Sequence, residues 1–200
     1  MDLFPNDPAV NLLPHDGTVH YHGPIFSNAQ TRSFYENLLR EIPWKNDEAV
    51  IFGKRIITAR KVAWYGDSNF SYTYSGTTKQ ALIWTPELVA LKRAVEQLTA
   101  TVYNSCLLNL YHDGNEGMAW HSDDEKSLGK DSTIASVSLG AEREFRLKHK
   151  RTADLVSVRL ASGSLLVMKG TTQSHWLHCI PKSKKITTPR INLTFRTMLT

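Results

Sequence analysis

At 200 residues the chain is long enough for one domain with a sizeable core and too short to expect two. With 41% hydrophobic and 22% charged residues it is not a disordered or fibrous protein, and no apolar run is long enough to cross a bilayer. The net charge of +5 and pI of about 9.2 suit a polyanionic partner without requiring one. Two cysteines, Cys106 and Cys179, cannot build a disulfide framework, and the N-terminus lacks the basic start and apolar stretch of a signal peptide. A reducing compartment, the cytoplasm, is the expectation.

Residues 1–26 carry Pro5, Pro8, Pro14 and Pro24 and read as an extended leader on the surface, with a strand near His20 and Tyr21. Ser27 followed by Gln30 has the spacing of a capping box, which opens a helix. Phe34, Leu38, Leu39 and Ile42 form its apolar face, and Pro43 ends it. Residues 45–80 are rich in aromatics, Gly, Ser and Thr and predict short strands and hairpin loops, a candidate lid. A second helix starts at the N-cap Thr85 with Pro86 in its first turn, and Leu88, Leu91, Val95, Leu98 and Val102 make a stripe that packs on a sheet. After Tyr103 the period becomes two: Leu108 and Leu110, Phe145 and Leu147, Val156, Val158 and Leu160, the apolar run Gly163–Met168, and Arg190–Arg196. Many short strands after two helices predict an α+β protein whose catalytic part is a β-sandwich or jelly roll.

His121-Ser-Asp123 is the sharpest local signal. Residues two apart on a strand share a face, so an imidazole and a carboxylate project together. His175 and His178 offer a third ligand, and two histidines with one carboxylate form the facial triad of non-haem iron oxygenases. Taken alone, His-x-Asp is weak in a chain with eight histidines. The C-terminal strand strengthens it. In Arg190-x-Asn192-x-Thr194-x-Arg196 every polar residue falls on one face, with Ile191, Leu193 and Phe195 on the other. Two arginines on one face of a central strand are costly unless anions pair with them. A dicarboxylate would suit their planar forks, and Asn109 and Tyr111 add an amide and a phenol.

Taken in order and spacing, Asn109-Leu-Tyr111-His-Asp-Gly114, His121-Ser-Asp123-Asp-Glu125, His175-Trp-Leu-His178 and Pro189-Arg-Ile-Asn-Leu-Thr-Phe-Arg196 resemble the AlkB family of nucleic-acid demethylases, in its duplex-acting, bacterial-like branch. The similarity extends upstream through Ile51-Phe-Gly-Lys54, Arg60-Lys61, Tyr65-Gly-Asp67 and Tyr72-Thr-Tyr-Ser-Gly76, covering roughly residues 45–198. The resemblance implies one Fe(II)/2-oxoglutarate dioxygenase domain over 27–200: a double-stranded β-helix (jelly-roll) core over 104–198, two supporting N-terminal helices, and a β-hairpin nucleotide-recognition lid over 45–80. It implies Fe(II) on His121, Asp123 and His178, the last sitting twelve residues before Arg190, with His175 a neighbour packed beside Trp176. It implies 2-oxoglutarate on Asn109, Tyr111, Arg190, Asn192, Thr194 and Arg196, molecular oxygen as co-reactant, and Phe52, Gly53, Arg60, Tyr72, Ser75, Asp124 and Glu125 around the nucleotide. The implied reaction is oxidative demethylation of bases such as 1-methyladenine and 3-methylcytosine, releasing formaldehyde, succinate and CO2. The implied partner is methylated DNA, single- or double-stranded, with RNA left open; no membrane partner is expected, and a monomer is the default.

Arg143 with Arg146, Lys148-His-Lys-Arg151 and Lys182-Ser-Lys-Lys185 are candidate phosphate contacts or ordinary solvated faces. Two rival functions remain at this stage: a same-fold oxygenase acting on RNA, protein or a small molecule, and a non-catalytic nucleic-acid-binding module with a structural metal. The second is disfavoured because structural zinc sites usually close with four ligands, often cysteine, and Cys106 and Cys179 are poorly placed for that.

Overall fold

The structure, a computed structural model, describes residues 7–51, 54–68, 70–74 and 77–199. Phe52, Gly53 and Ser75 lie outside the described residues. Tyr72 lies on a described strand, but its side chain is not described.

The elements run β1 (Thr18–Pro24), α1 (Asn28–Glu41), β2 (Lys45–Ile51), β3 (Lys54–Gly66), β4 (Ser71–Tyr74), β5 (Thr77–Gln80), β6 (Leu82–Ile83), α2 (Pro86–Thr99), β7 (Ser105–Tyr111) and β8 (Met118–His121). There follow β9 (Ile134–Gly140), β10 (Arg143–His149), β11 (Leu155–Leu160), β12 (Ser164–Lys169), a helical turn (Thr172–His175), β13 (Trp176–Ile180) and β14 (Arg190–Arg196). The main sheet has the order β1-β12-β9-β14-β7-β3-β2, with β6 beside β3. A smaller sheet, β11-β10-β13-β8, faces it, and β4 and β5 form a separate hairpin. This is the α+β jelly-roll architecture that the strand pattern predicts.

Side-chain alternation on the main sheet divides the core in two. Cys106, Leu108 and Leu110 of β7, Ala135, Val137 and Leu139 of β9, and Ile191, Leu193 and Phe195 of β14 point one way. They pack on Leu38 and Ile42 from α1 and its C-cap and on Leu88, Leu91 and Val95 of α2. The opposite face turns toward the smaller sheet. Along part of that interlayer Ile134, Leu166 and Met168 meet Phe145, Leu147, Trp176 and Ile180; along the rest it is polar, and the candidate site lies there.

Ser27 caps α1 as predicted: its hydroxyl accepts from the Gln30 backbone N–H, and the Gln30 side chain accepts from the Ser27 backbone N–H. Thr85 caps α2, with Pro86 in the first turn. The stripe expected to reach Val102 stops earlier. Thr99 is the last helical residue, Ala100 turns left-handed at φ 51°, and Leu98 and Val102 are exposed.

From Leu13 onward the leader is built into the fold rather than wrapped on its surface. The strand expected at His20–Tyr21 is β1, paired with β12 from Thr18↔Lys169 to Pro24↔Ser164, and Leu13, Val19 and Tyr21 are buried. The segment 45–80 is also not all lid. Lys61 to Gly66 of β3 pair with β7 inside the main sheet, and Val62, Ala63 and Tyr65 are buried; only the β2–β3 extension and the β4–β5 hairpin stand off it. Gly114, just past β7, is required by close approach: a Cβ there would lie 1.9 Å from the Ser183 carbonyl oxygen.

Candidate active site

His121 ends β8, and His178 lies directly across from it on β13. Their ring centroids are 4.2 Å apart, and His178 stacks on Phe145 at 5.4 Å. Asp123 lies beyond the end of β8, so strand alternation does not place it as predicted. Two other contacts do. Its backbone N–H donates to the Gln173 side-chain oxygen at 2.9 Å, and its Oδ2 accepts from Arg196 Nη2 at 2.6 Å and Nε at 3.2 Å. Its Oδ1 is left facing His121 Nε2 at 3.7 Å.

The ligand atoms of His121, Asp123 and His178 all lie within 4.8 Å of one another. Cis ligands on an ion with bonds of about 2.1 Å stand about 3 Å apart, so the donors would draw inward to share one ion. Protonation fits as well. His121 Nδ1 is 2.8 Å from the Ala119 carbonyl; a carbonyl only accepts, so Nδ1 holds the proton and Nε2 presents its lone pair. Burial alone would raise the Asp123 carboxyl, but Arg196, His178 and His121 outweigh it and hold it down at about 2. Burial pushes His178 down to about 3 against the opposing pull of Asp123. At neutral pH Asp123 is therefore a carboxylate and His178 a neutral imidazole, the forms in which these two side chains bind a divalent metal.

The four polar residues of β14 line the same inner face. Arg190, 2% exposed, donates one bond to Ser138 Oγ, and its guanidinium lies 5.4 Å from the Tyr111 ring centre. Its Nε and Nη1 are buried without a hydrogen-bond partner. Burial, countered in part by Tyr111, pushes this arginine down to about 10. Such a cation needs an anion close by. Asn192 donates to Ser136 Oγ and the Val137 carbonyl, and accepts from Thr194. Asn109 pairs with Asn192 across β7 and β14, and its side-chain oxygen accepts from Arg60. Asn192 is thus fully engaged within the sheet, while Arg190 keeps donors with no partner.

The remaining predicted residues are scattered. Asp124 is exposed, 3.6 Å from Lys150 Nζ, and accepts from Ser122. Glu125 is exposed and close enough to Arg196 to raise its pKa. Arg60 is buried, with Asn109 and Asp47 as its partners. His175 is exposed, and its ring lies against His149 at 6.1 Å, away from the triad. Arg143, expected as a phosphate contact, is 1% exposed. It donates to the carbonyls of Asp113, Glu116 and Pro181 and lies 5.6 Å from the Tyr111 ring centre. Gln173 was not anticipated, and nothing in its sequence surroundings marks it.

A second group, His15, Asp16 and His149, also clusters. Its hydrogen bonds suit protons better than a metal. His149 Nδ1 accepts the Thr152 backbone N–H, so Nε2 keeps its hydrogen and faces Asp16 at 3.3 Å. His15 sits between Asp154 at 2.8 Å and Asp16 at 3.2 Å, and the bond to Asp154 chiefly raises its pKa. The cluster clasps the N-terminal segment to the β10–β11 turn.

Fold and site together define a non-haem iron oxygenase that uses a 2-oxoacid. Residues 17–196 match the family model of the 2OG-Fe(II) oxygenase superfamily, and the protein is a 2-oxoglutarate-dependent dioxygenase. Within that superfamily the chain belongs to the AlkB family. It is 38% identical over 186 residues to human DNA oxidative demethylase ALKBH2, covering 88% of this chain and 71% of that one. It is 40% identical over 176 residues to the Bos taurus alpha-ketoglutarate-dependent dioxygenase alkB homolog 3, covering 83% and 61%. The fold is similar to the solved structure of OsALKBH1, with a TM-score of 0.63 and 16% identity over 92% of this chain and 98% of that chain.

Proposed function

We propose that the protein oxidatively demethylates N-alkylated bases in DNA, of the 1-methyladenine and 3-methylcytosine type, as a direct repair enzyme. The observation that carries this reading is the preset triad of His121, Asp123 and His178 beside the buried, under-paired Arg190. The chain's similarity to two relatives whose names are DNA oxidative demethylase ALKBH2 and alkB homolog 3 narrows the substrate. Bound iron(II), with 2-oxoglutarate and oxygen, supplies the oxidation of the N-methyl carbon, after which formaldehyde leaves the base.

The residues of this chain do the rest. Ala119 fixes the His121 tautomer, and Gln173 and Arg196 fix Asp123. Arg196 stands on the metal carboxylate and serves the cosubstrate's metal-proximal end; Arg190 takes the distal carboxylate, with Asn109 and Tyr111 completing the cradle. Asn192 and Thr194 hold the strand's inner face in shape. Glu125, near the triad and negatively charged, suits a cationic methylated base, with Asp124 beside it; Tyr72 and Ser75 close the lid. A methyl group on the Watson–Crick edge is out of reach inside a duplex, so the base is flipped or already single-stranded. The protein acts as a monomer in the cytoplasm, where both of its free cysteines stay reduced; among the described residues no helix is long and apolar enough to cross a membrane.

Both duplex and single-stranded DNA are substrates in this reading, with RNA the weaker rival. Ile51 and Lys54 are register partners across the β2–β3 hairpin, with Phe52 and Gly53 between them in sequence. An apolar side chain pushed into the stack offsets part of the few kcal/mol that unstacking costs. Phe52→Ala is expected to lower formaldehyde release from methylated duplex about tenfold or more, and release from the matching single strand less than threefold. Equal losses on both would assign Phe52 to the fold or the lid in general, and a wild-type enzyme inactive on duplex would overturn the duplex reading.

A further inference from the structure

Asn109 sits on β7 between β3 and β14, on the inner face of the main sheet. Val62 is its register partner on one side and Asn192 on the other. Arg60, two residues from Val62 on the same face, stands where β3 leaves β7 for its hairpin with β2; Lys61↔Leu110 is the last pair. Arg60 is 9% exposed. Its Nη1 donates to Asn109 Oδ1 at 2.7 Å, and its Nη2 is paired with the Asp47 carboxylate. Asp47 lies at the bulge in β2, where the register shifts between Asn46 and Glu48; a bulge re-aims the side chain it carries.

A guanidinium has only donors, so the amide atom facing it must be the oxygen. With its oxygen committed to Arg60, Asn109 has its NH2 left to donate elsewhere, and its neighbour on the side away from β3 is Asn192 of β14. A carboxylate there accepts from an NH2 and is repelled by an amide oxygen. With the opposite flip, Asn109 would weaken the cradle instead of completing it.

We propose that Arg60 is a positioning residue for the cosubstrate: it sets the flip of the Asn109 amide so that its NH2 donates to 2-oxoglutarate, and Asp47 holds Arg60 in place. This rests on the reading above that Asn109 touches the cosubstrate. It moves Arg60 from the nucleotide lid, where the family resemblance puts it, to the cosubstrate pocket. It also ties the root of the β2–β3 hairpin to that pocket through one side chain.

The test is steady-state kinetics against 2-oxoglutarate on the iron-loaded enzyme with a methylated single-stranded oligonucleotide, with thermal melts alongside. Loss of an outer partner of a binding residue typically costs about 10–100-fold. Arg60→Ala is expected to raise the KM for 2-oxoglutarate about tenfold and to change kcat less than about threefold. Arg60→Lys keeps a charge beside Asp47 but has no fork to reach both partners, and is expected to raise KM similarly; it serves if Arg60→Ala does not fold. The double variant Arg60→Ala/Asn109→Ala should match Asn109→Ala alone, because Arg60 acts through that amide. Asn109→Asp keeps the contact to Arg60 but turns an oxygen on the cosubstrate, and should bind it more weakly than Asn109→Ala. A lower melting temperature with unchanged KM in both Arg60 variants, or independent multiplication of effects in the double variant, would overturn the proposal. An unchanged KM in Asn109→Ala would overturn the cosubstrate reading itself; a raised KM there with normal Arg60 variants would overturn only the role of Arg60.

Discussion

His178→Ala is expected to reduce turnover at least a hundredfold while the protein still melts cooperatively. Losing even an outer partner of a metal ligand costs about 10–100-fold, and losing the ligand itself costs more. The sheet does not depend on the metal for its packing: His178 sits on β13, whose neighbours Trp176 and Ile180 are buried in the interlayer core. His121→Ala and Asp123→Ala should behave alike, with a further loss for Asp123 because Arg196 would be left without its carboxylate. His175→Ala is the control. Its exposed ring lies on His149, outside the triad, and turnover should stay within about twofold of wild type. Iron titration checks the assignment: a His175→Ala variant that lost iron, beside a His178→Ala variant that kept it, would move the third ligand to position 175.

The second large effect falls on Arg190 and separates function from stability. A charge-assisted pair lost at a buried site costs roughly 2–5 kcal/mol, so the 2-oxoglutarate requirement of Arg190→Met should rise about thirtyfold or more. The free protein should be as stable as wild type or more so. Arg190 is buried with Nε and Nη1 unpartnered and a depressed pKa, and replacing a poorly compensated buried cation with an apolar side chain of similar length is often neutral or stabilising. Wild-type protein should gain in melting temperature on adding 2-oxoglutarate with metal, and the variant should not. A variant that melts well below wild type and keeps a normal 2-oxoglutarate requirement would make Arg190 a structural residue.

Much of this was legible in the residues. The helices could be read because their caps are local, and β7, β10, β11 and β14 because one face differs chemically from the other. β9 escaped that reading although it alternates too. Ala135, Val137 and Leu139 pack toward the helices, and Ser136 and Ser138 turn to Asn192 and Arg190. Every one of these residues is buried, and a small serine marks a face far less clearly than an arginine does. The triad was legible as residue types at family spacing, but its geometry was not. Asp123 is held by Gln173, which lies fifty positions away in sequence, and by Arg196 from another strand. Arg143 shows the opposite failure. Beside Arg146 it reads as a surface basic cluster, yet strand alternation turns Arg143 inward onto three carbonyls and leaves Arg146 outside with Glu144. The leader misled for a related reason: its prolines suggest a wrap, while β1 gains its place from the unpaired edge of β12, which only the assembled sheet reveals.

The most direct test of the central claim is the amount of succinate and formaldehyde formed when iron(II) and 2-oxoglutarate are supplied with a DNA oligonucleotide carrying one 1-methyladenine, compared with the same oligonucleotide unmethylated. A repair dioxygenase should release formaldehyde in a one-to-one ratio to lesions removed, with succinate rising in step, and His178→Ala should release neither above background. Succinate formed equally with and without the methyl group, or methylated DNA left intact by the iron-loaded enzyme, would contradict DNA demethylation and point to an oxygenase of this fold with another substrate.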